Sequence, residues 1–233
     1  MLGEYDLNLV VLSLAVAIMT SYAALDLAGR VSAAKGGRSW LWLLSGAVVM
    51  GAGIWSMHFI GMLAFSLPIP LAYDGLITVF SMLIAIAVSG VALYVVRQPV
   101  LSARNLTSGA SLIGIGISSM HYTGMAALRM SPPIQYDPLL FIASVLIAIA
   151  ASFAALWIAF ELRQKDSWLA VLAKLGSAGV MGVAITSMHY TGMAAAEFLP
   201  GSLCLSALSR GAWTVRRSRS RSVLRCLWCC PLR

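Results

Sequence analysis

The sequence predicts an all-α protein, a polytopic transmembrane helical bundle of six spans arranged as three tandem helix pairs. Three observations carry that reading. Hydrophobic residues make up 60% of the chain and charged ones 10%, against about 25% charged in an average soluble domain. Six apolar stretches, over residues 7–28, 40–65, 75–96, 106–128, 139–160 and 169–198, reach the roughly 20 residues that cross a hydrocarbon core of about 30 Å. The string SMHYTGMAA occurs twice, at 119–127 and 187–195, with a looser copy SMHFIGMLA at 56–64. In lipid a helix satisfies every backbone N–H and C=O within its own segment, so apolar runs of this length are read as helices.

No cationic run or small-residue cleavage site precedes the first span, which is therefore expected to be retained rather than cleaved as a signal. Tyr5-Asp6, Tyr73-Asp74 and Tyr136-Asp137 stand immediately before spans 1, 3 and 5. There an aspartate can accept from the free N–H groups of a helix start, and the tyrosine can anchor at the interface. The same three spans align through AVAIMTSYAAL, LIAIAVSGVAL and LIAIAASFAAL, bringing Ser21, Ser89 and Ser152 into register. Those serines are read as helix-packing residues. Spans 2, 4 and 6 each end in one copy of the nine-residue motif. The units are then 5–68, 73–131 and 136–199, within one transmembrane domain covering 5–200.

Loop charges give an orientation. Arg30, Lys35 and Arg38 follow span 1, Arg97 and Arg104 follow span 3, and Arg163, Lys165 and Lys174 follow span 5; the opposite loops hold only Arg129. Under the positive-inside rule this places the N-terminus outside and the basic turns in the cytoplasm, with Trp40, Trp42 and Trp168 at the cytoplasmic boundary. The net charge of +8 comes mostly from the end of the chain: residues 1–203 carry nine Lys/Arg against eight Asp/Glu, and the other seven arginines lie in 210–233. No folded basic surface is implied, so a nucleic-acid partner is excluded and the lipid bilayer is the expected surrounding. Residues 201–233 read as a basic, cysteine-rich tail, disordered or abnormal. Its CLWCC contains one Cys-x-x-Cys spacing, a weak metal signal without further ligands.

All three histidines of the chain, His58, His121 and His189, lie in the motif copies, 63 and 68 residues apart. Each falls seven to nine residues before the end of its span, about 10–14 Å into the membrane from the outer side. The antiparallel packing forced by short loops lets spans 2, 4 and 6 face a common interior. Met62, Met125 and Met193 follow the histidines at i+4 and share their face. Met57, Met120 and Met188 precede them, about 100° round the helix. An imidazole flanked by thioethers suits a soft metal, copper above all; no carboxylate at that depth speaks for magnesium, calcium or a facial-triad iron. Gly61, Gly124 and Gly192 remove a side chain beside the histidine, allowing close helix approach or ligand access. Ser56, Ser119, Ser187, Tyr122, Thr123, Tyr190 and Thr191 are candidates to hydrogen-bond the rings. Three copies at one depth outweigh the alternative in which the methionines are gap fillers and each histidine is satisfied locally.

SMHYTGM on alternate transmembrane helices resembles the MHYT domain of bacterial integral membrane sensor proteins, over roughly residues 5–200. The resemblance implies a sensory domain of the bacterial cytoplasmic (inner) membrane, binding copper through Met57, His58, Met120, His121, Met188 and His189 near the outer face. Met62, Met125 and Met193 are added from the helix geometry. It also implies sensing of a diatomic gas, oxygen, carbon monoxide or nitric oxide, and signalling to a cytoplasmic output domain. No output domain is readable in this chain. The first copy departs from the pattern, with Phe59-Ile60 in place of Tyr-Thr; it keeps the ligands and loses the hydroxyls. The family pattern has seven spans, whereas no seventh apolar run follows span 6, which points to a truncated or frame-shifted end.

Two other readings stand beside this one. Two of the histidines could ligate a heme axially, although the third would be left over. The cluster could also be a transit site of a copper transport or delivery protein, although nothing interrupts the motif helices as transporter sites usually require. No carboxylate pair, nucleophile–base set or phosphate loop points to an enzyme.

Overall fold

The computed structural model describes residues 3–165, 167–208 and 213–215. Six helices follow one another: α1 (Leu7–Ala33), α2 (Gly37–Ala64), α3 (Gly75–Arg97), α4 (Ala103–Ala126), α5 (Pro138–Leu162) and α6 (Trp168–Ala194). Five of them are long and apolar enough to cross a membrane by length and composition. The exception is α4, whose Arg104, Asn105, Thr107 and Ser108 open it on a polar turn and whose glycines and serines dilute its apolar content. Each helix packs on its neighbours in sequence, and α6 packs back on α1, so the six close into a ring.

The three helix pairs repeat their construction. Asp6, Asp74 and Asp137 are the N-caps of α1, α3 and α5, accepting from Asn8 N–H, from Leu76 and Ile77 N–H, and from Leu140 N–H. The backbone N–H of each aspartate donates to the end of the other helix of its pair: Asp6 to Ala64 C=O, Asp74 to Ala127 C=O and Asp137 to Ala195 C=O, at 2.8–2.9 Å. One residue type thus caps one helix and clamps it to its partner.

Pairs join one another through a second set of small residues. A Cβ on Gly51 would meet the backbone of Ile86, one on Gly114 the backbone of Ile149, and one on Gly182 the backbone of Ile18. These glycines stand seven residues before His58, His121 and His189, so each even helix presses against the odd helix of the next pair at the same level. Lipid offers apolar side chains no water to escape, so such close backbone approach, with interhelical hydrogen bonds, supplies the association.

The motif end carries a small cap of paired strands: β1 (Glu4–Tyr5) with β2 (Phe65–Ser66), β3 (Leu71–Tyr73) with β8 (Trp213–Val215), β4 (Met130–Ser131) with β7 (Leu203–Cys204), and β5 (Gln135–Tyr136) with β6 (Ala196–Glu197), all antiparallel. The start of the segment read as a loose tail belongs to this cap. Buried Cys204 donates from its thiol to Leu128 C=O at 2.9 Å, and Ser206 donates to Ala127 C=O at 2.9 Å. A one-turn 3-10 helix (Leu205–Leu208) completes it. These contacts escape a search for long apolar runs because the segment contributes backbone pairing and small polar anchors, not hydrophobic length. The seven arginines of the tail and Cys226, Cys229 and Cys230 lie outside the described residues.

At the opposite end three arginines are tied down. Arg163 donates to the carbonyls of Val96, Gln98 and Pro99, closing the C-terminus of α3, where a cation is favoured by the helix dipole. Its guanidinium, shifted down by burial, lies over Phe160. Arg97 sits over Trp40 and Arg30 over Trp42, at 4.7 and 5.2 Å.

Candidate metal centre

The even helices bring the three histidines to one point on the ring axis. The Nδ1 atoms of His58, His121 and His189 form a triangle with edges of 3.2, 3.2 and 3.3 Å. All three rings are buried, at 0–1% exposure. They meet edge to face, with centroids 4.9–5.1 Å apart and planes 75–86° apart, a three-bladed arrangement. An equilateral triangle of this edge has its centre about 1.9 Å from each vertex, close to the roughly 2.0–2.1 Å of a metal–imidazole bond. With their protons on Nε2, the three rings would aim three Nδ1 lone pairs at one buried point, an arrangement that a shared cation relieves. The residues present therefore fit a metal ion, and among the described residues no other His, Cys, Asp or Glu cluster does.

Glycine and histidine of different copies make the triangle. The Nε2 tip of His58 occupies the place a Cβ would take on Gly124, that of His121 the place on Gly192, and that of His189 the place on Gly61. Each motif glycine thus makes room for the histidine of the preceding pair in a closed cycle, rather than for its own. The expectation of a side chain removed beside the histidine holds, with the partner changed. The three Nε2 atoms have no hydrogen-bond partner, so the rings are held by shape.

The six methionines of the motif are buried around this triangle. Met62, Met125 and Met193 gather on the cap side in one cluster with Leu128, Met130 and Phe198. Met120 packs with Ile54 and Ala85 on the other side. Met188 lines a central cavity there. Met57 is 1% exposed. The three motifs therefore share one nitrogen site rather than forming three separate ones.

The tyrosines following His121 and His189 hydrogen-bond neighbouring helices rather than a ring. Tyr122 and Tyr190 pair through their hydroxyls with Ser144 and Ser13, at 2.6 and 2.9 Å, on the odd helix of the next pair. In the divergent first copy Phe59 has no hydroxyl, and the equivalent Ser81 instead accepts from the indole N–H of Trp55 at 3.1 Å. Ser119 and Ser187 donate back to Ile115 C=O and Val183 C=O in their own helices. Ser119 and Ser187, expected to hydrogen-bond the rings, thus bond within their own helices. Ser13, Ser81 and Ser144 were legible only as a second column, eight residues before Ser21, Ser89 and Ser152. The Tyr-Asp tyrosines shield the flank: Tyr5 packs on Tyr190, Tyr73 on Phe59 and Tyr136 on Tyr122. Burial, reinforced by the neighbouring Tyr190 and Tyr122, pushes the Tyr5 and Tyr136 phenols up to about 12, so both stay protonated. Two axial histidines need a slot for a macrocycle between them, and a triangle this tight leaves none, which disfavours the heme alternative.

Comparison with known proteins agrees with this construction. The MHYT family, described as the N-terminal repeat of bacterial signalling proteins, matches residues 51–109, 114–173 and 182–215. Its repeat has the same period as the helix pairs but starts within each even helix, spanning the contact between pairs. The bifunctional diguanylate cyclase/cyclic di-GMP phosphodiesterase MucR of Pseudomonas aeruginosa is 57% identical over 91% of this chain and 30% of its own length. The signaling protein YkoW of Bacillus subtilis is 41% identical over 83% of this chain and 24% of its own. The cyclic di-GMP phosphodiesterase NbdA of P. aeruginosa is 44% identical over 82% of this chain and 24% of its own. The chain thus spans less than a third of the length of these relatives, and the match falls in a sensory region and not a catalytic one. No solved structure matches. Three histidine motifs cycling through one ring, and repeat matches over most of the chain, make this protein a member of the MHYT family of bacterial membrane signalling domains.

Proposed function

We propose that the three imidazoles hold one copper ion, and that the ring is a sensory domain reporting a diatomic gas (oxygen, carbon monoxide or nitric oxide) to a cytoplasmic signalling module. The carrying observation is the Nδ1 triangle of His58, His121 and His189, with its edges of 3.2–3.3 Å. A trigonal nitrogen set without thiolate or carboxylate, bedded in thioethers, favours Cu(I); zinc usually completes a tetrahedron and magnesium or calcium asks for oxygen. Met57, Met62, Met120, Met125, Met188 and Met193 supply that polarisable bed. Bound copper supplies a centre able to take up a diatomic ligand. The residues of the chain hold it on the axis, keep water from the cap side, and couple it to all three helix pairs at once.

All six helices cross the inner membrane in this reading. α4 crosses because it is packed in the ring between α3 and α5. The basic turns face the cytoplasm, where longer relatives carry activities named for cyclic di-GMP. Transit of copper is disfavoured, because the cap-side cluster leaves Met62, Met125 and Met193 at most 3% exposed.

Metal analysis of the purified protein tests the assignment. Copper at about one ion per chain is expected, with most of it lost in His121→Ala/His189→Ala, because one imidazole cannot replace three. Wild-type copper content in that double variant would overturn it, and zinc in place of copper would retain the site while replacing the metal.

A further inference from the structure

On the far side of the triangle from the cap, the axis of the ring widens into a cavity of about 100 Å³. Ile54, Ile117 and Ile185, each one turn before a motif histidine, line its upper part with Met188. Ala24, Ala92 and Ala155 line it from the odd helices, three residues beyond Ser21, Ser89 and Ser152. All three pairs thus place a single methyl group at the same register position, where a larger side chain would fill the axis.

The walls offer water almost nothing to bond. No charged side chain lines them. The hydroxyl oxygens of Ser21, Ser89 and Ser152 are enclosed in protein and present almost no surface to the cavity, and Thr20 lies against Gly53 of α2. A buried water makes about three hydrogen bonds to the groups around it, and apolar cavities that offer none stay dry. A dry void leaves its lining without dispersion partners on one side. A small apolar molecule restores those contacts and gives up no hydrogen bond on entering. Volume sets its size: the cavity is about two-thirds of the roughly 150 Å³ of an apolar cavity that takes up xenon or benzene.

We propose that this cavity takes up one small apolar molecule, a diatomic gas, by shape and dispersion alone, as a second site on the axis next to the histidine triangle. Ions and polar molecules are kept out by the same walls that exclude water. Lipid tails dissolve apolar gases, so the bilayer supplies the occupant without a watery route. The upper end of the cavity, at the isoleucines, lies about one helical turn, roughly 6 Å along the axis, from the imidazoles. A gas held there is stored beside the triangle. That role as a store rests on the copper and gas reading; the binding site itself does not.

Two measurements on metal-free, detergent-solubilised full chain test the site. Xenon, which enters dry apolar cavities, stands in for the gas in the first. Xenon-129 NMR is expected to show saturable binding in the wild type and severalfold weaker binding in Ala92→Leu and in Ala155→Leu, whose added carbons occupy the void. No saturable binding in the wild type, whether water or a detergent tail fills the cavity, would overturn the proposal. Binding unchanged in both variants would overturn it too. The second measurement uses a diatomic gas and needs no variant. Dissolved oxygen is paramagnetic and speeds the relaxation of the methyl groups it visits. Met188 in the cavity and Met193 in the cap are 2% and 3% exposed. Under oxygen pressure, severalfold greater enhancement at the Met188 methyl supports the site, and equal enhancement at both overturns it. Copper content plays no part in either readout, so failure here and failure of the metal reading are told apart.

Discussion

Glycine is the residue on which the histidine triangle turns. A methyl group on Gly124 would overlap the tip of His58, whose ring is enclosed on every side. Overpacking of this kind costs about 1–3 kcal/mol, and the ring, being a side chain, yields before the backbone does. Under the copper assignment proposed above, Gly124→Ala is therefore expected to lose most of the metal while lowering thermal stability in detergent only moderately. Unchanged copper content would show that the histidine position is not set by that glycine. The first motif copy offers a second test at this scale. Phe59 lacks the hydroxyl that Tyr122 and Tyr190 give to the odd helices, and Trp55 supplies the donor to Ser81 in its place. Interhelical hydrogen bonds in membranes average about 0.6 kcal/mol. Trp55→Phe should cost about that much in unfolding free energy, and adding Phe59→Tyr should restore it. Failure of the second change to rescue the first would mean that Trp55 matters for packing and not as a donor.

Among the elements, the Tyr-Asp starts of α1, α3 and α5 couple capping to pairing. The Asp74 carboxylate is held below the usual carboxylate range, first by the Ile77 N–H and further by Arg129, with which it pairs at 3.3 Å. A depressed folded-state value contributes stability above the unfolded pKa of about 3.9, and that contribution is lost as pH falls through the folded value. Asp74→Ala should cost about 1 kcal/mol at pH 7, the usual worth of a cap. The difference from wild type should shrink towards pH 3, as read from urea or thermal unfolding. A difference independent of pH would assign the effect to backbone propensity. At the same scale, α4 is the one helix of the six that length and composition do not single out as a span. Its glycines and serines serve packing, with Gly114 against the Ile149 backbone and Ser118 bonded to Gly114 C=O. Those residues lower its apolar content while improving its fit.

At the scale of the whole molecule, ring closure through α6 and α1 makes the three pairs equivalent and gives the protein an axis. The charge asymmetry of the loops predicts that a tag at the N-terminus and a tag in the turn at Lys35 label opposite sides of the membrane. Accessibility of both tags from the same side would overturn the orientation. Every histidine leans on a glycine of the next pair, so the three pairs are linked at the axis in a closed cycle that a row of independent helix pairs would lack.

Sequence alone determined the class of this protein, its threefold repetition and the three histidines that meet on its axis. Apolar length, alternating loop charge and motif spacing are local quantities, and each is written into consecutive residues. His58, His121 and His189, the aspartate caps and the register of the serines were all legible in that way. Only the tertiary structure decided that the three motifs make one nitrogen site, and that Gly124 serves His58 and not His121. It also showed that Trp55 stands in for a missing hydroxyl, and that residues 203–208 close the cap. Each of these is a contact between residues far apart in the chain, fixed by ring closure and by the handedness with which one pair follows the next. A repeat in sequence specifies what each unit contains. Which unit a given side chain meets is set by how the units pack around the axis.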